Sequence, residues 1–280
     1  MAVRIITDST SDIPLEDQKA LGIDIVSLSV IFGDEKYADG ADLKKDQFYE
    51  MLGKSTVLPS TSQVNPDGFF DFFKNYTESG DEVVVIVISS KLSGTYQSAV
   101  IAKEMVGSDK IHIIDSKITT FGLALLVNEA IKLRDSGASA SDIYSRIMDL
   151  KDKIKLYGVV DTLKYLKMGG RLSSSAAVIG SALNIKPIIS VVNGKVESVA
   201  KARGQKAAFA WILDQVKKER PSKEYPLSFG HANAPDRMKE FIDYVSNAID
   251  FNESIVCEIG GVIGTHTGPG CLGIAYIPES

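Results

Sequence analysis

The run VVVIVI at residues 83–88 constrains the fold more than any other stretch of this chain. β-branched side chains favour extended backbone, and a run without polar alternation is typical of a strand buried on both faces of a sheet. Further short apolar runs at 3–6 and 111–114 are followed by segments with helical spacing. This alternation predicts a parallel α/β sheet for the first half of the chain.

The remaining elements of the first half follow from apolar spacing and from turn residues. Helices are predicted at 15–21, 44–52 and 66–75, from 93 onward, and at 119–135 and 141–153. A strand is predicted at 23–30, a turn at 34–40 and a polar loop at 54–63. Residues 28–62 are expected to form a small insertion on this first domain.

The second half contains a hairpin signal that the first half lacks. Asn193-Gly194 separates two strand-like runs at 187–192 and 195–200, and Asn-Gly favours a two-residue hairpin turn. Other strands are predicted at 157–160, 226–230, 255–259 and 273–277, and helices at 163–168, 174–183, around Trp211 and after Pro235. The pattern predicts a mixed-sheet α/β domain at 156–280, after a parallel-sheet α/β domain at 1–155.

Composition excludes several classes of protein. A formal net charge of −5 argues against a nucleic-acid partner, which would select a basic face. No apolar run approaches the ~18 residues of a membrane span, and the first residues lack the pattern of a signal peptide. We therefore expect no membrane span and a cytoplasmic location. Cys257 and Cys271 are expected to be free, buried thiols.

The segment IGGVIGTHTGPG at 259–270 holds five glycines and one proline. Glycine weakens a helix or strand interior, so this composition predicts a tight turn between the last two strands. A turn explains the glycines but not the consecutive polar side chains of Thr265, His266 and Thr267. These three residues therefore indicate a site.

Three other polar clusters have both a functional and a structural interpretation. Residues 8–12 follow the first strand, where open α/β sheets bind ligands, but Ser11 or Asp12 could equally cap a helix. The absence of glycine there excludes a dinucleotide loop. Residues 59–63 fit either a site or a plain loop. Residues 89–96 open a helix after the buried strand, which suits either an anion site or an ordinary cap.

Catalytic and metal-binding motifs are absent from the sequence. It contains no phosphate loop, no H-E-x-x-H or C-x-x-C spacing and no G-x-S-x-G elbow. The three histidines, His112, His231 and His266, are far apart in the sequence. We therefore predict no catalytic residue and no metal site.

Six segments occur in an order and spacing that resemble one known family. They are ITDSTSD, PSTSQ, SSKLSGTYQSA, DTLKYLKMGGRLS, KARGQKAA and GTHTGPG. The chain resembles the DegV family over essentially its whole length. The resemblance implies a two-domain α/β protein that holds one long-chain fatty acid between its domains. It further implies the fatty-acid-binding subunit of a bacterial fatty acid kinase, in which a separate ATP-dependent kinase subunit forms an acyl phosphate for phospholipid synthesis.

The resemblance also implies roles for individual residues. Thr61, Ser93 and His266 would hydrogen-bond the fatty acid carboxylate, with Ser62 and Gly94 as neighbours. Arg171 would dock the kinase, although a basic residue at that point could instead balance a helix dipole. A head-group site made of hydroxyls and an imidazole, without a cation, would leave the carboxyl reactive. No cofactor is implied, and the subunit alone is expected to have no turnover.

Two alternatives remain open at this stage. The parallel-sheet domain is similar to the substrate domain of dihydroxyacetone kinases, so His266 could hold a small carbonyl substrate. A lipid-sensing regulator whose partner is not a kinase is the second alternative.

Overall fold

The computed structural model describes residues 2–173 and 184–279. Within them the strands are β1 (Val3–Asp8), β2 (Ile23–Val26), β3 (Ser29–Phe32), β4 (Glu35–Ala38), β5 (Ser60–Ser62), β6 (Glu82–Val87), β7 (Ile111–Asp115), β8 (Lys155–Val159), β9 (Ile185–Val192), β10 (Lys195–Arg203), β11 (Leu227–His231), β12 (Ser254–Glu258) and β13 (Leu272–Tyr276). The helices are α1 (Gln18–Leu21), α2 (Lys45–Lys54), α3 (Asp67–Glu78), α4 (Thr95–Val106), α5 (Thr120–Asp135), α6 (Ala140–Lys151), α7 (Lys164–Met168), α8 (Gln205–Lys218), α9 (Pro235–Ser246) and α10 (Gly261–Thr267). Short 3-10 turns occupy Ser9–Ser11 and Leu15–Asp17.

The first half of the chain contains a four-stranded sheet in the order β2-β1-β6-β7. All its strand pairs are parallel, which confirms the parallel sheet predicted from the sequence. The side chains of residues 83–87 in β6 are buried, so the β-branched run is covered on both faces. The loop that follows β6 contacts the second sheet, because Ser89 Oγ donates to the Gly194 carbonyl in the β9–β10 turn at 2.8 Å.

A three-stranded antiparallel sheet in the order β4-β3-β5 lies within residues 29–62. The prediction of one strand at 23–30 was wrong, because β2 pairs with β1 whereas β3 turns away to pair with β4 and β5. Apolar and polar residues alternate through both strands, but the phase changes between Ile25 and Val26, and the prediction did not use this change as a strand boundary. The turn at 34–40 and the loop at 54–63 also contain short strands, since polar residues at a sheet edge resemble those of loops.

The second sheet is six-stranded and mixed, in the order β10-β9-β8-β13-β11-β12. Its β9–β10 hairpin confirms the Asn-Gly prediction: Asn193 and Gly194 have φ of 50° and 82°, as this turn requires. Strand β11 lies between β12 and β13, so the last two strands are not paired with each other. Cys257 and Cys271 are buried free thiols, as predicted.

Two predictions concern boundaries. The helix predicted at 174–183 lies outside the described residues. The division of the chain at residue 155 stays a proposal; β8 begins there and belongs to the six-stranded sheet.

Helix α5 packs between the two larger sheets. It contacts β1 and β6 on one side and β11 and β13 on the other, which explains why it is apolar around most of its circumference. Two strand glycines make room for its first turn: a Cβ on Gly230 would lie 2.0 Å from Phe121 Cδ1, and one on Gly273 would lie 3.0 Å from Phe121 Cζ. The halves of the chain are therefore packed closely around the start of α5.

Candidate functional site

A cavity of about 290 Å³ lies between the two larger sheets and the three-stranded sheet. This is roughly twenty times the ~15 Å³ that one buried water needs. Its lining comes from β5, the loop after β6, the start of α5, strands β8 to β10, and α10. All six residues singled out from the family resemblance line it: Thr61, Ser62, Ser93, Gly94, Arg171 and His266. The structure thus brings together residues that are up to 205 positions apart in the sequence.

The central contact of the cavity is a hydrogen bond between two distant side chains. Thr61 Oγ1 lies 2.9 Å from His266 Nε2. Thr61 belongs to β5, which is held against β3 by backbone pairing, and His266 lies in the last turn of the buried helix α10. Both side chains are therefore fixed by regular backbone rather than by a loop.

The other ring nitrogen of His266 indicates which tautomer is present. Nδ1 is buried without a hydrogen-bond partner, against Gly169, where a Cβ would come within 2.1 Å of it. A buried N–H without a partner costs more than a buried acceptor without one. The arrangement favours a proton on Nε2, which donates to Thr61 Oγ1 and leaves the threonine hydroxyl hydrogen free to point into the cavity. Thr61 can thus donate to an anionic ligand.

Burial, reinforced by the nearby Arg171 guanidinium, lowers the pKa of His266 to about 4. The imidazole is therefore neutral at neutral pH in the ligand-free protein. Because the pKa of His266 differs between the folded and the unfolded chain, the free energy of unfolding depends on pH. Between pH 4 and 6.5 the unfolded chain binds a proton at this residue that the folded chain does not, so stability falls as the pH drops through this window.

We expect His266→Gln to remove this part of the pH dependence. Between pH 7.5 and 5.5 the ligand-free wild type should lose about 1 kcal/mol more unfolding free energy than the variant. Urea unfolding of both proteins at both pH values measures the difference, and the acidic residues common to both cancel. Equal losses in the two proteins would contradict a neutral, buried His266.

Ser93 and Ser62 line the same cavity but do not join the Thr61–His266 pair directly. Ser93 Oγ lies 2.9 Å from Thr95 Oγ1 and accepts from the Thr95 amide at 3.3 Å, so it serves as a local cap at the start of α4. Ser62 Oγ donates a long bond of 3.4 Å to the Gln63 carbonyl. Both predicted interpretations of residues 89–96 therefore remain compatible with the geometry, since the capping hydroxyl also faces the cavity.

The structure explains why residue 94 is glycine, which the sequence did not indicate. Its φ is −76°, so no special backbone conformation is needed. A Cβ at this position would lie 2.0 Å from Gln63 Oε1, and Gln63 Nε2 donates to Ser98 Oγ at 2.9 Å. The glycine thus admits the Gln63 amide, a cavity-lining group that was not among the predicted site residues.

Arg171 is half-buried and lines the cavity beside His266. Its Nη1 donates to the Gly169 carbonyl at 2.7 Å and its Nε to the Leu92 carbonyl at 3.2 Å. The first bond is at the C-terminus of α7, as the dipole interpretation predicts. The chain turns at Gly170 and places Arg171 in the cavity lining, so a cation lies near the predicted head-group residues; the expectation that the head-group site itself lacks a cation stays a prediction.

Contacts connect these polar groups around one end of the cavity. Arg171 joins the loop that carries Ser93 to the Gly169 backbone, and Gly169 packs against His266. The remaining lining is largely apolar; Phe121, Leu156 and Ile189 pack against glycines of β8, β11, β13 and α5. The cavity therefore has a polar end and an apolar body.

Within the glycine-rich segment 259–270, residues Gly261–Thr267 form a helix where the sequence predicted a tight turn, and a turn follows only at 269–270. Residues 261–267 are all buried. A Cβ on Gly264 would lie 2.7 Å from Phe48 Cε1 and 2.8 Å from the Tyr49 hydroxyl, and one on Gly261 would lie 3.0 Å from Val30 Cγ2. Glycine is present because α10 lies directly against α2 and β3, and this packing outweighs its low helix propensity.

The polar cluster at 8–12 performs capping and is not among the residues that line the cavity. Asp8 accepts from the amides of Thr10 and Ile88, and Asp12 accepts from the amide of Gly260 at 2.8 Å. Asp39 accepts from the Gly261 amide at 2.9 Å. Burial raises the pKa of Asp12 to about 7 and that of Asp39 to about 6. No sequence pattern indicated Asp39, which lies in the segment 34–40 that was predicted as a turn.

The described ranges contain no group of three or more His, Cys, Asp or Glu side chains arranged to hold a metal ion. Nor does any helix in the part of the chain that the structure describes have the length and apolar character needed to cross a membrane.

Comparisons with known proteins agree with this architecture. The model of the DegV family, described as an uncharacterised protein family, matches residues 2–279. A DegV domain-containing protein of Caldanaerobacter subterraneus subsp. tengcongensis is 37% identical over 275 residues, which cover 98% of each chain.

Solved structures with the same fold are described by their ligands. DegV of Bacillus subtilis, described as a fatty acid binding protein, is 33% identical with a TM-score of 0.88 over 100% of both chains. A stearic acid-binding protein of Eubacterium ventriosum is 28% identical with a TM-score of 0.90, over 99% of this chain and 98% of that one. The family match over residues 2–279 and the 37% identity over 98% of the chain show that this protein belongs to the DegV family.

Proposed function

We propose that this protein binds one long-chain fatty acid in the cavity between its sheets. The carboxylate would lie at the polar end, beside Thr61, Ser93 and His266, and the hydrocarbon chain would occupy the apolar body. The observation that carries this proposal is that a largely apolar cavity is lined at one end by the hydrogen-bonded pair Thr61 and His266. The fatty acids named for the B. subtilis and E. ventriosum relatives support it.

The hydrocarbon chain and the carboxylate would contribute very different free energies of binding. A C16 chain has roughly 15 carbons to bury at ~0.8 kcal/mol each, or about 12 kcal/mol before the costs of association. A neutral hydrogen bond to the head group contributes about 1 kcal/mol net. The chain would therefore set the affinity, whereas the hydroxyls, the imidazole and the Arg171 charge would set the orientation.

Lipid extraction tests the proposal directly. We expect mass spectrometry of an organic extract of the purified protein to detect a long-chain fatty acid, and the delipidated protein to take up stearic acid. A preparation that yields no fatty acid and takes none up would reject the function. A small carbonyl substrate, the first alternative, would leave the apolar body of the cavity without a partner.

The finer proposal is that the bound carboxylate is presented to an ATP-dependent kinase subunit, which forms an acyl phosphate for phospholipid synthesis. The protein itself would then have no turnover. Two features support this proposal: the family resemblance and the position of Arg171 beside the polar end of the cavity. A protein that binds the acid but supports no phosphoryl transfer would instead fit the lipid-sensing regulator.

We expect the double variant Thr61→Ala, Ser93→Ala to stay fully loaded at saturating stearic acid and to support at least tenfold slower phosphoryl transfer. The chain would hold the ligand, but the carboxylate would lose two donors that orient it. Transfer from [γ-32P]ATP by the kinase subunit measures the rate. Ser246→Ala is the matched control, because this exposed hydroxyl donates only to the Ile242 carbonyl of its own helix and does not line the cavity. Wild-type transfer in the double variant would reject the assigned head-group site.

For Arg171→Ala we expect stearic acid binding within about tenfold of wild type and a larger loss of phosphoryl transfer. The reason is that the apolar chain dominates affinity, while the half-buried guanidinium places a positive charge near His266 that a partner would contact. Comparing transfer at saturating and at limiting kinase separates docking from orientation. A defect that disappears at saturating kinase supports docking; a defect that remains unchanged at saturation contradicts it.

A further inference from the structure

Helix α10 is held at its N-terminus by two carboxylates from separate segments of the chain. The first amides of any helix have no partner within the helix, and here they are buried. The Gly260 amide donates to Asp12 Oδ1 at 2.8 Å and the Gly261 amide to Asp39 Oδ1 at 2.9 Å. Two consecutive amides thus depend on two side chains.

These carboxylates are themselves fixed by neighbouring elements. The Thr120 hydroxyl donates to Asp12 Oδ2. Thr120 adopts a φ of 51°, a region that β-branched residues rarely occupy. Lys45 Nζ donates to the backbone carbonyls of Asp12 at 3.0 Å and Glu258 at 2.7 Å. The anchor of α10 therefore connects α5, α2 and β12.

The opposite end of the same helix carries His266. His266 lies six positions after Gly260, or about 9 Å along a helix axis. The helix is too short to bend over this length, and Gly261 and Gly264 lie in direct contact with α2 and β3. A displacement at the N-terminal amides must therefore be transmitted to the imidazole, whose bond to Thr61 is 2.9 Å long.

We propose that Asp12 and Asp39 are positioning residues for the head-group site: they place His266 against Thr61 by anchoring α10, without contacting the ligand. This inference rests on the proposed function, because it concerns recognition of the fatty acid carboxylate. Asp39 is the more informative of the two, since it accepts from Gly261, the first residue of α10, and follows β4 of the three-stranded sheet.

The test compares two ligands that share a hydrocarbon chain and differ only in the head group. Stearic acid and 1-octadecanol are bound to delipidated wild type, Asp39→Ala and Asp39→Asn, and the ratio of the two dissociation constants is determined. We expect wild type to prefer the acid. Asp39→Ala should lower that preference at least tenfold while the affinity for octadecanol changes less than threefold. Asp39→Asn, which keeps one acceptor oxygen of the same shape, should lower it about threefold.

Asp34→Ala is the matched control, because Asp34 is an exposed acid in the same three-stranded sheet region. Its preference should equal that of wild type. The His266 ring signals in a 1H–15N spectrum give a second readout, which should shift in both Asp39 variants and not in the control. If Asp39→Ala does not fold, the ratio of dissociation constants and the His266 spectrum of Asp39→Asn alone test the inference.

An Asp39 variant that keeps the wild-type preference and spectrum overturns the inference. Equal losses for acid and alcohol overturn it too, because they would show general destabilisation of the cavity. Equal affinity of the wild-type protein for stearic acid and octadecanol also overturns the inference. Failure of the underlying function has a different signature: a wild type that binds neither ligand rejects the fatty acid proposal itself.

Discussion

Ile189→Trp is expected to lower the affinity for stearic acid at least 100-fold. Ile189 lies in β9 and lines the apolar body of the cavity. An indole at this position would occupy the volume in which we propose that the hydrocarbon chain lies. Exclusion of about five carbons at ~0.8 kcal/mol each removes about 4 kcal/mol, or roughly 1,000-fold in the dissociation constant. Titration of the delipidated variant with stearic acid measures the loss.

Val192→Trp is the matched control for this prediction. Val192 lies three residues further along the same strand, is 37% exposed and does not line the cavity. Its affinity for stearic acid should match that of wild type. Shorter acids should also recover part of the loss in Ile189→Trp, because they leave room for the indole. Uptake of stearic acid by that variant with wild-type affinity would show that the chain occupies another place.

Gly264→Ala is expected to destabilise the protein by about 2 kcal/mol, against the usual sign for this substitution in a helix. Alanine normally stabilises a helix relative to glycine by about 0.5–1 kcal/mol. Here the new methyl would lie 2.7 Å from Phe48 Cε1 and 2.8 Å from the Tyr49 hydroxyl, so the buried helix must move. Overpacking of this kind costs about 1–3 kcal/mol. Chemical denaturation of the ligand-free proteins gives the difference in unfolding free energy.

Gly53→Ala provides the comparison with opposite sign. Gly53 lies in α2, and no atom lies within 4 Å of the position that its Cβ would occupy. We expect a gain in stability of about 0.5–1 kcal/mol from the reduced freedom of the unfolded chain. If Gly264→Ala were as stabilising as Gly53→Ala, close packing would not be the reason for glycine in α10.

Much of the architecture could be predicted from local pattern. The β-branched run at 83–88 predicted a strand buried on both faces, and Asn193-Gly194 predicted the β9–β10 hairpin; the structure confirms both. These predictions succeeded because side-chain alternation and turn conformation are properties of neighbouring residues. The residues of the polar end were named from the family resemblance, and the cavity brings them together, although their roles in binding stay predictions.

Other features depended on contacts that no local pattern records. The sequence placed a turn at 259–270, whereas the fold buries a glycine-rich helix there, since residues distant in sequence approach too closely for a side chain. The sequence did not indicate that Asp12 and Asp39 would accept hydrogen bonds from the first amides of that helix. Nor did it indicate that Arg171 would line the cavity. Composition and periodicity therefore determined most strands and helices of the two larger sheets. The tertiary structure decided the three-stranded sheet, α10 and which elements meet, because burial and unpaired amides become costly only where distant segments pack together.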